Sequence, residues 1–333
     1  MANKGLVPTV TLPAPFGLGP AATAEAQIVR QQGDYRMNPD DGNLYGGISG
    51  AKLTVVPFHF GSGVTISSTF AHLMRPFIMA FASPATNQPH PGPWRPAQGS
   101  FGFDILAQIY IPKEFNLPEW FDRANTIWWL AALLRLRSTP RIAVPVISNV
   151  SFSEASSANH EVFFWPVESE TERTRMLLEP NAKAQIDITD LEWVKQYWIT
   201  GGHLINKHSE FNLAMQSFDQ SSFARSPSLA LLSLWGALEA LFSPARSELR
   251  FRVSANIATF LEPPGEARYS LQKQVAKLYD ERSAAAHGGE HDAEEPLLET
   301  YALMKRLIVR IIEQNHVPTP IELTSRLFGS NDT

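Results

Sequence analysis

The sequence contains no cysteine, which excludes disulfide bonds, thiolate zinc sites and cysteine nucleophiles. A chain without cysteine also fits a reducing, cytoplasmic setting. Long apolar runs are missing as well, because the most apolar stretch, residues 127–134, falls well short of the roughly 20 residues that a membrane span needs. Residues 1–19 lack the charged and then apolar pattern of a signal peptide. We therefore expect a cytoplasmic protein with no membrane partner.

Charge is sparse: charged residues make up 18 % of the chain, and the net charge is −5. This balance does not suggest a polybasic protein that coats nucleic acid, but it leaves room for a local basic site. Hydrophobic residues make up 44 %, which is enough for a sizeable core and argues against wholesale disorder. A length of 333 residues is comfortable for two domains.

The sequence pattern changes near residue 185. Before that point, short runs rich in Val, Ile and Phe predict strands, and a proline-rich stretch predicts a loop at residues 83–99. One helix, capped by Asn116 and covering residues 117–137, interrupts the strands. It ends with Arg135 and Arg137, whose charges suit a helix C-terminus and could alternatively bind an anion. The predicted strands are residues 53–60, 77–82, 103–111, 142–150 and 161–167.

After residue 187 the apolar spacing becomes helical. Thr189 or Asp190 could cap a helix that runs towards Phe218, and Pro227 and Pro296 could open two others. Two further helices are expected between those prolines, joined by short connections that favour an antiparallel bundle. The predicted fold class is α+β: a strand-rich mixed N-terminal domain, residues 1–187, followed by an all-α helical bundle, residues 188–333.

The most informative residues of the helical part are Arg282 and His287. On an ideal helix, residues five apart point about 140° away from each other, so these two side chains converge only if the helix ends near His287. Gly288 and Gly289 provide that ending, since glycine readily adopts the left-handed conformation that closes helices. A long arginine side chain and a histidine at the helix end can then reach the same space.

Residues 282–288, R-S-A-A-A-H-G, resemble the R-x4-6-H motif of HEPN domains. The context L-Y-D-E-R before it, which contains Tyr279, resembles the Apea-like HEPN branch in particular. Residues 234–242, L-W-G-A-L-E-A-L-F, look like the E-x-L-F helix of that branch and place its glutamate at Glu239. The resemblance covers roughly residues 188–315 and does not extend to the first half of the chain.

The resemblance implies a helical bundle that forms a homodimer and cleaves RNA without a metal or any other cofactor. His287 would transfer the proton of the attacking 2′-hydroxyl, and Arg282 would stabilise the charge of the transition state. Ser283 fills the polar position after the arginine as a further donor. The alternative is structural: His287 would cap its helix, and Arg282 would pair with Asp280, Glu281 or a neighbouring helix.

Supporting residues are expected around this pair. Glu239 borders an apolar stripe and needs a partner, for which Arg282 and Arg252 are the candidates. Arg252 and Arg250 could add RNA phosphate contacts, although a solvated helix face suits Arg250 better. His287 and His291 have the spacing of two metal ligands on a helix, but the intervening glycines make a helix there improbable, so no metal site is expected.

Three functional hypotheses follow. The first is a HEPN endoribonuclease, used by analogy as a toxin or in anti-phage defence, with the N-terminal domain as a sensor of an unknown ligand or trigger. The second is a non-catalytic HEPN module that binds nucleotide, RNA or a protein, which the overall acidity favours slightly. The third is a structural helical domain that dimerises. A basic two-fold cleft around His287 would support the first hypothesis, and an acidic or buried motif would support the other two.

Overall fold

The computed structural model describes residues 42–329, apart from a set of short gaps. These gaps are residues 56, 75–76, 84, 89–90, 93, 98–101, 116–120, 168–169, 171–175, 244–247 and 287–292. An antiparallel sheet fills the first part of the described chain and helices fill the second, which confirms the α+β fold class. None of the described helices combines the length and the apolar character that a membrane span requires.

The strands of the described residues form one large sheet and two small ones. They are β1 (Leu44–Ser49), β2 (Lys52–Leu53), β3 (Phe58–Gly61), β4 (Val64–Met74), β5 (Phe77–Ala80), β6 (Trp94–Ala97), β7 (Gly102–Ile111), β8 (Ala143–Ser148), β9 (Phe164–Pro166) and β10 (Gln185–Ile186). The large sheet is antiparallel, with the order β3-β4-β7-β1-β8-β9. The pairs β5–β6 (antiparallel) and β10–β2 (parallel) are separate from it.

The helices of the described residues follow mainly after β10. They are α1 (Arg123–Arg137), α2 (Ile188–Lys207), α3 (Ser209–Gln220), α4 (Pro227–Phe242), α5 (Leu249–Leu261), α6 (Glu266–Ala286), α7 (Glu294–Gln314) and α8 (Pro320–Leu327). A single 3-10 turn, Ser221–Phe223, separates α3 from α4.

Helix α1 lies between the sheet and the other helices, and almost all of its side chains are buried. It approaches the sheet closely at Gly46 of β1, where an added Cβ would lie 2.3 Å from Cγ2 of Ile127. On its other side, the indole of Trp129 donates a hydrogen bond of 2.7 Å to the carbonyl of Trp198 in α2. One hydrophobic core therefore continues from the sheet through α1 into the helical region. The proposed division into two domains at residue 187 remains a prediction.

Several helix boundaries differ from those expected. Helix α1 begins at Arg123, because Asp122 caps it by accepting from the backbone N–H of Asn125 at 2.6 Å; the expected cap, Asn116, lies outside the described residues. Asp187, rather than Thr189 or Asp190, caps α2. The expected long helix towards Phe218 is interrupted at His208, whose extended backbone separates α2 from α3.

Other predicted helix boundaries agree more closely with the structure. Pro227 opens α4 as expected, and α5 ends before Pro263. Helix α7 begins at Glu294, slightly before the predicted start at Pro296. Helix α8 was not predicted; it begins with a capping box between Thr319 and Glu322. The predicted helix stop at Gly288 and Gly289 lies outside the described residues.

The strand predictions found most of the sheet but missed β1 and β4, two of its inner strands. β1 contains Gly46 and Gly47, which weaken a strand signal, yet the glycines are needed here because side chains pack closely over both positions. β4 is rich in serine and threonine and has only a weak alternation of apolar residues. The predicted loop at residues 83–99 is wrong where β6 forms within it.

Candidate functional site

Arg282 lies near the end of the described part of α6 and forms an ion pair with Glu239 of α4. Nη2 of Arg282 is 3.2 Å from Oε1 of Glu239, and the two side chains are 25 % and 22 % exposed. Of the two partners expected for Glu239, the structure brings Arg282 to it rather than Arg252. Because α4 packs against α6, this pair fixes the arginine relative to a second helix.

Tyr279, one helical turn before Arg282, provides the second contact that orients the arginine. The guanidinium of Arg282 lies 5.5 Å from the centre of the Tyr279 ring. That ring in turn meets the buried ring of Trp235 edge-on, with the centroids 5.3 Å apart. Burial raises the pKa of Tyr279, and the charge of Glu239 raises it further, so the phenol stays protonated at neutral pH. Arg282 is thus held between a carboxylate and a neutral aromatic face.

The hydrogen bonds of this arrangement are incomplete within the described residues, because the contact between Arg282 and Glu239 is an ion pair and the buried Oε1 of Glu239 has no hydrogen-bond partner there. Nε of Arg282 is buried, and within the described residues it has no hydrogen-bond partner. The neighbouring Ser283 is less available than expected, because its hydroxyl donates to the carbonyl of Tyr279 at 3.2 Å within the helix. Of the two polar residues predicted for phosphate contact at this point, Arg282 is therefore the better placed donor.

The two other arginines predicted to contact RNA phosphates are also paired with carboxylates. Arg250 of α5 makes two hydrogen bonds of 2.7 Å to Asp280 of α6, on an exposed surface. Arg252 lies 3.4 Å from Glu248 within the same helix turn. The positive charges of all three arginines are therefore compensated locally in the described structure.

His287 lies outside the described residues, together with Gly288, Gly289 and His291. The convergence of Arg282 and His287 thus stays a prediction. Near this end of α6, a shallow groove of about 370 Å³ runs between α6 and α7. It is lined by Lys277, Asp280, Glu281, Ala284, Ala285, Ala293, Glu295 and Pro296. The groove has more acidic than basic side chains, which does not favour the entry of a phosphate backbone.

A second charged cluster, centred on Arg135 in the last turn of α1, was not anticipated. Its guanidinium donates to both carboxylate oxygens of Asp219, at 2.6 and 3.1 Å, and to both of Glu170, at 3.1 and 3.3 Å. A further bond of 3.3 Å reaches the carbonyl of Ile142. All three charged side chains are buried. Burial alone lowers the pKa of Arg135, but the two carboxylates raise it by more, so the arginine stays charged.

The partners of Arg135 explain why the sequence did not reveal this cluster. Asp219 and Glu170 are 84 and 35 positions away in the chain, so no local spacing links the three residues. Each carboxylate also accepts a bond from its surroundings: Asp219 from the indole of Trp128 at 3.1 Å, and Glu170 from the backbone N–H of Val144 at 2.6 Å. The cluster is saturated and buried, which excludes the anion site considered for Arg135.

No family model matches the chain, and no curated protein or solved structure shows significant similarity to it. The HEPN resemblance therefore depends on the motif residues themselves. In the part of the chain that the structure describes, no three His, Asp or Glu side chains are grouped so that they could hold a metal ion.

Proposed function

We propose that the helical region is a metal-independent endoribonuclease of the HEPN type, in which Arg282 and His287 carry the reaction. The observation that supports this most is the orientation of Arg282 by Glu239 and Tyr279, at a quarter-exposed position near the end of α6. A guanidinium held in this way needs little further ordering when a phosphate arrives. His287 is the next residue in the sequence after Ala286, the last residue of α6.

The chemistry requires few groups. His287 accepts the proton of the RNA 2′-hydroxyl, whose oxygen attacks the adjacent phosphorus. The bond from phosphorus to the 5′-oxygen breaks, the leaving oxygen takes up a proton, and the products carry a 2′,3′-cyclic phosphate and a 5′-hydroxyl. Arg282 donates to the phosphoryl oxygens as negative charge accumulates on them. Glu239 acts as a positioning residue, because it holds the arginine without touching the phosphate.

The active unit in this proposal is a homodimer that forms through the helical region. A two-fold axis beside the motif would bring a second Arg282 and a second His287 into one cleft. Ala284 and Ala285 have small side chains at this end of α6, so two such helices could approach closely. A role as a toxin or in anti-phage defence, with the strand-rich region as sensor of an unidentified trigger, belongs to the same proposal by analogy.

One observation favours a second candidate function. Each arginine of the site has a carboxylate partner, and the charged side chains of the adjacent groove are mainly acidic. A non-catalytic module that binds a protein partner would need no excess of positive charge, whereas RNA must compete with these carboxylates for the arginines. The two functions differ in a simple observable, since only the first changes the covalent structure of RNA.

Incubation of the purified full-length protein with mixed RNAs tests the proposal. We expect cleavage, with a loss of about 10²–10⁴-fold in rate for His287→Ala and of about 10²–10³-fold for Arg282→Ala. Arg306→Ala is the matched control, because this arginine of α7 is also ion-paired but lies outside the motif. Wild-type rates in either folded motif variant would remove the assignment.

The same assay tests the mechanism. Cleavage is expected to persist in a chelator and to leave a 2′,3′-cyclic phosphate. A substrate with one deoxynucleotide at the cut position should resist cleavage there, because it lacks the attacking hydroxyl. Loss of activity in the chelator, restored by added metal, would contradict the mechanism. Suppose that the wild type does not cleave RNA, and that a protein partner bound by the wild type is lost from the Arg282→Ala variant. This result would favour the binding module.

A further inference from the structure

The long strand β4 is covered on one side over only part of its length. β3 pairs with its beginning, in the register Phe58↔Ile66, His59↔Thr65 and Gly61↔Val64. Pro57 precedes β3 and has no N–H to donate, which explains why the pairing stops there. Beyond Ile66, β4 continues to Met74 and pairs with β7 on its other side. In the described chain, no strand pairs with the outer edge of residues 67–74.

Apart from the irregularity between Ser68 and Ala71, this edge lacks the features that usually prevent sheets from joining. Its sequence, S-S-T-F-A-H-L-M, contains no lysine, arginine, carboxylate or proline. Phe70 and Met74 are 67 % and 59 % exposed on it. The far edge of the same sheet is protected, since β9 has 3 residues and ends in Pro166. The sheet is thus blunted at one edge and left able to pair at the other.

We infer that β4 pairs antiparallel with β4 of a second copy of this chain, through residues 70–74 of each copy. The unused backbone donors and acceptors of an edge strand specify the shape of the occupant, which must be another strand. A two-fold axis fits this edge, because it places each residue opposite one from the same segment. A lysine or a carboxylate close to the axis would face its own counterpart, and this segment contains neither.

The charge of the segment and its exposed apolar side chains are both compatible with pairing between two copies. His72 is the one titratable residue of the segment, and it lies 2.8 Å from Asp104 of β7, so any positive charge on it is balanced within its own chain. Phe70 and Met74 of each copy would come to lie against the other copy. The pairing joins two six-stranded sheets into one continuous sheet.

The register of β4 on β7 indicates where the two-fold axis lies. An irregularity between Ser68 and Ala71 adds a residue to β4, as a bulge does. After it, pairing is regular from Ala71↔Ile105 to Met74↔Gly102. A regular strand is the better template for a new ladder, so the axis is placed within residues 71–74. This interface is separate from the helical pairing and does not depend on ribonuclease activity.

Light scattering on the full-length protein at micromolar concentration is the first test. We expect the wild-type protein to have twice the mass of the double variant Phe70→Lys/Met74→Lys when β4 pairing is the only interface. Where the helical pairing joins further copies, the wild-type mass should be at least twice that of the variant. Phe328→Lys is the matched control, because Phe328 is 82 % exposed on a different element. Circular dichroism of the variants verifies that they are folded. A monomeric wild type, or a folded double variant with the wild-type mass, would overturn the inference.

The absence of cysteine allows a second, positional test. A single introduced cysteine can form a disulfide only between two copies. Oxidation of the His72→Cys variant should give a covalent dimer, since a residue near the axis faces its own counterpart at a distance that a disulfide can bridge. The exposed Ser156→Cys variant is the control and should remain uncrosslinked. Equal crosslinking of both variants, or none in His72→Cys, would contradict the proposed axis.

Discussion

Arg135, buried in the last turn of α1, and Arg282, near the end of α6, each meet a carboxylate from a distant part of the chain. Arg135 is 2 % exposed and directs hydrogen bonds at two carboxylates and a carbonyl, which saturates its guanidinium. Arg282 is 25 % exposed, has one carboxylate and an aromatic ring as neighbours, and keeps a buried Nε without a partner among the described residues.

The difference separates an arginine that connects the fold from one that can serve a ligand. Arg135 of α1 binds Asp219 of α3 and Glu170 near β9, so its charge ties the sheet region to the helical region. Such a buried cluster contributes little net stability over an apolar core, but removing one member is costly. Arg282 has solvent on one side and a fixed support on the other, which are the conditions for binding an incoming anion.

The largest effect on stability is expected for Arg135→Ala. The change leaves Asp219 and Glu170 buried without a cation, and such uncompensated charge costs about 3–5 kcal/mol. Urea denaturation, read out by circular dichroism, measures the free energy of unfolding. Arg282→Ala is expected to lower that free energy by less than Arg135→Ala does, because it leaves one carboxylate that solvent partly reaches instead of two that are buried.

Arg137→Ala is the matched control for the buried cluster. Arg137 lies in the same last turn of α1, but it is 41 % exposed and 3.7 Å from Asp190. Its removal should cost about 1 kcal/mol or less. Equal destabilisation by Arg135→Ala and Arg137→Ala would show that burial of the cluster has no energetic consequence and would erase the contrast with Arg282.

Much of the fold was predictable because its helices carry periodic apolar residues and have prolines at or near their boundaries. Pro227 marked the start of α4, and the prolines after α5 marked its end. The break at His208 was not predictable, since no glycine or proline marks it and the apolar spacing continues into α3. β1 was missed because its two glycines, a poor local signal for a strand, are required by side chains that pack over them.

The candidate site was partly predictable for a similar reason. Arg282, Tyr279 and Glu239 were chosen from local motifs, and the structure brings these three together. The choice between Arg282 and Arg252 as the partner of Glu239 depended on how α4 packs against α6, which spacing within one helix does not determine. The Arg135 cluster joins residues from three separate segments, so only the tertiary structure reveals it.

Glu239 orients Arg282, and its removal tests whether that arginine serves a ligand or only the fold. In Glu239→Gln the charge that orients Arg282 is lost while the shape of the side chain is kept. We expect kcat for RNA cleavage to fall about tenfold, because a looser guanidinium fits the transition state less well. KM should stay the same or fall, since one negative charge near the phosphate is removed. Stability should change by about 1 kcal/mol or less.

Glu248→Gln is the control, since it removes the carboxylate partner of Arg252 on an exposed helix turn. This change should leave kcat unchanged if Arg252 is an exposed surface residue that does not contact the RNA phosphate. A purely structural role of Glu239 predicts the opposite pattern to ours: a loss of stability of several kcal/mol with kcat and KM unaltered in the folded fraction. That result would place Arg282 in the same class as Arg135, as a residue that holds the helices together and takes no part in binding RNA.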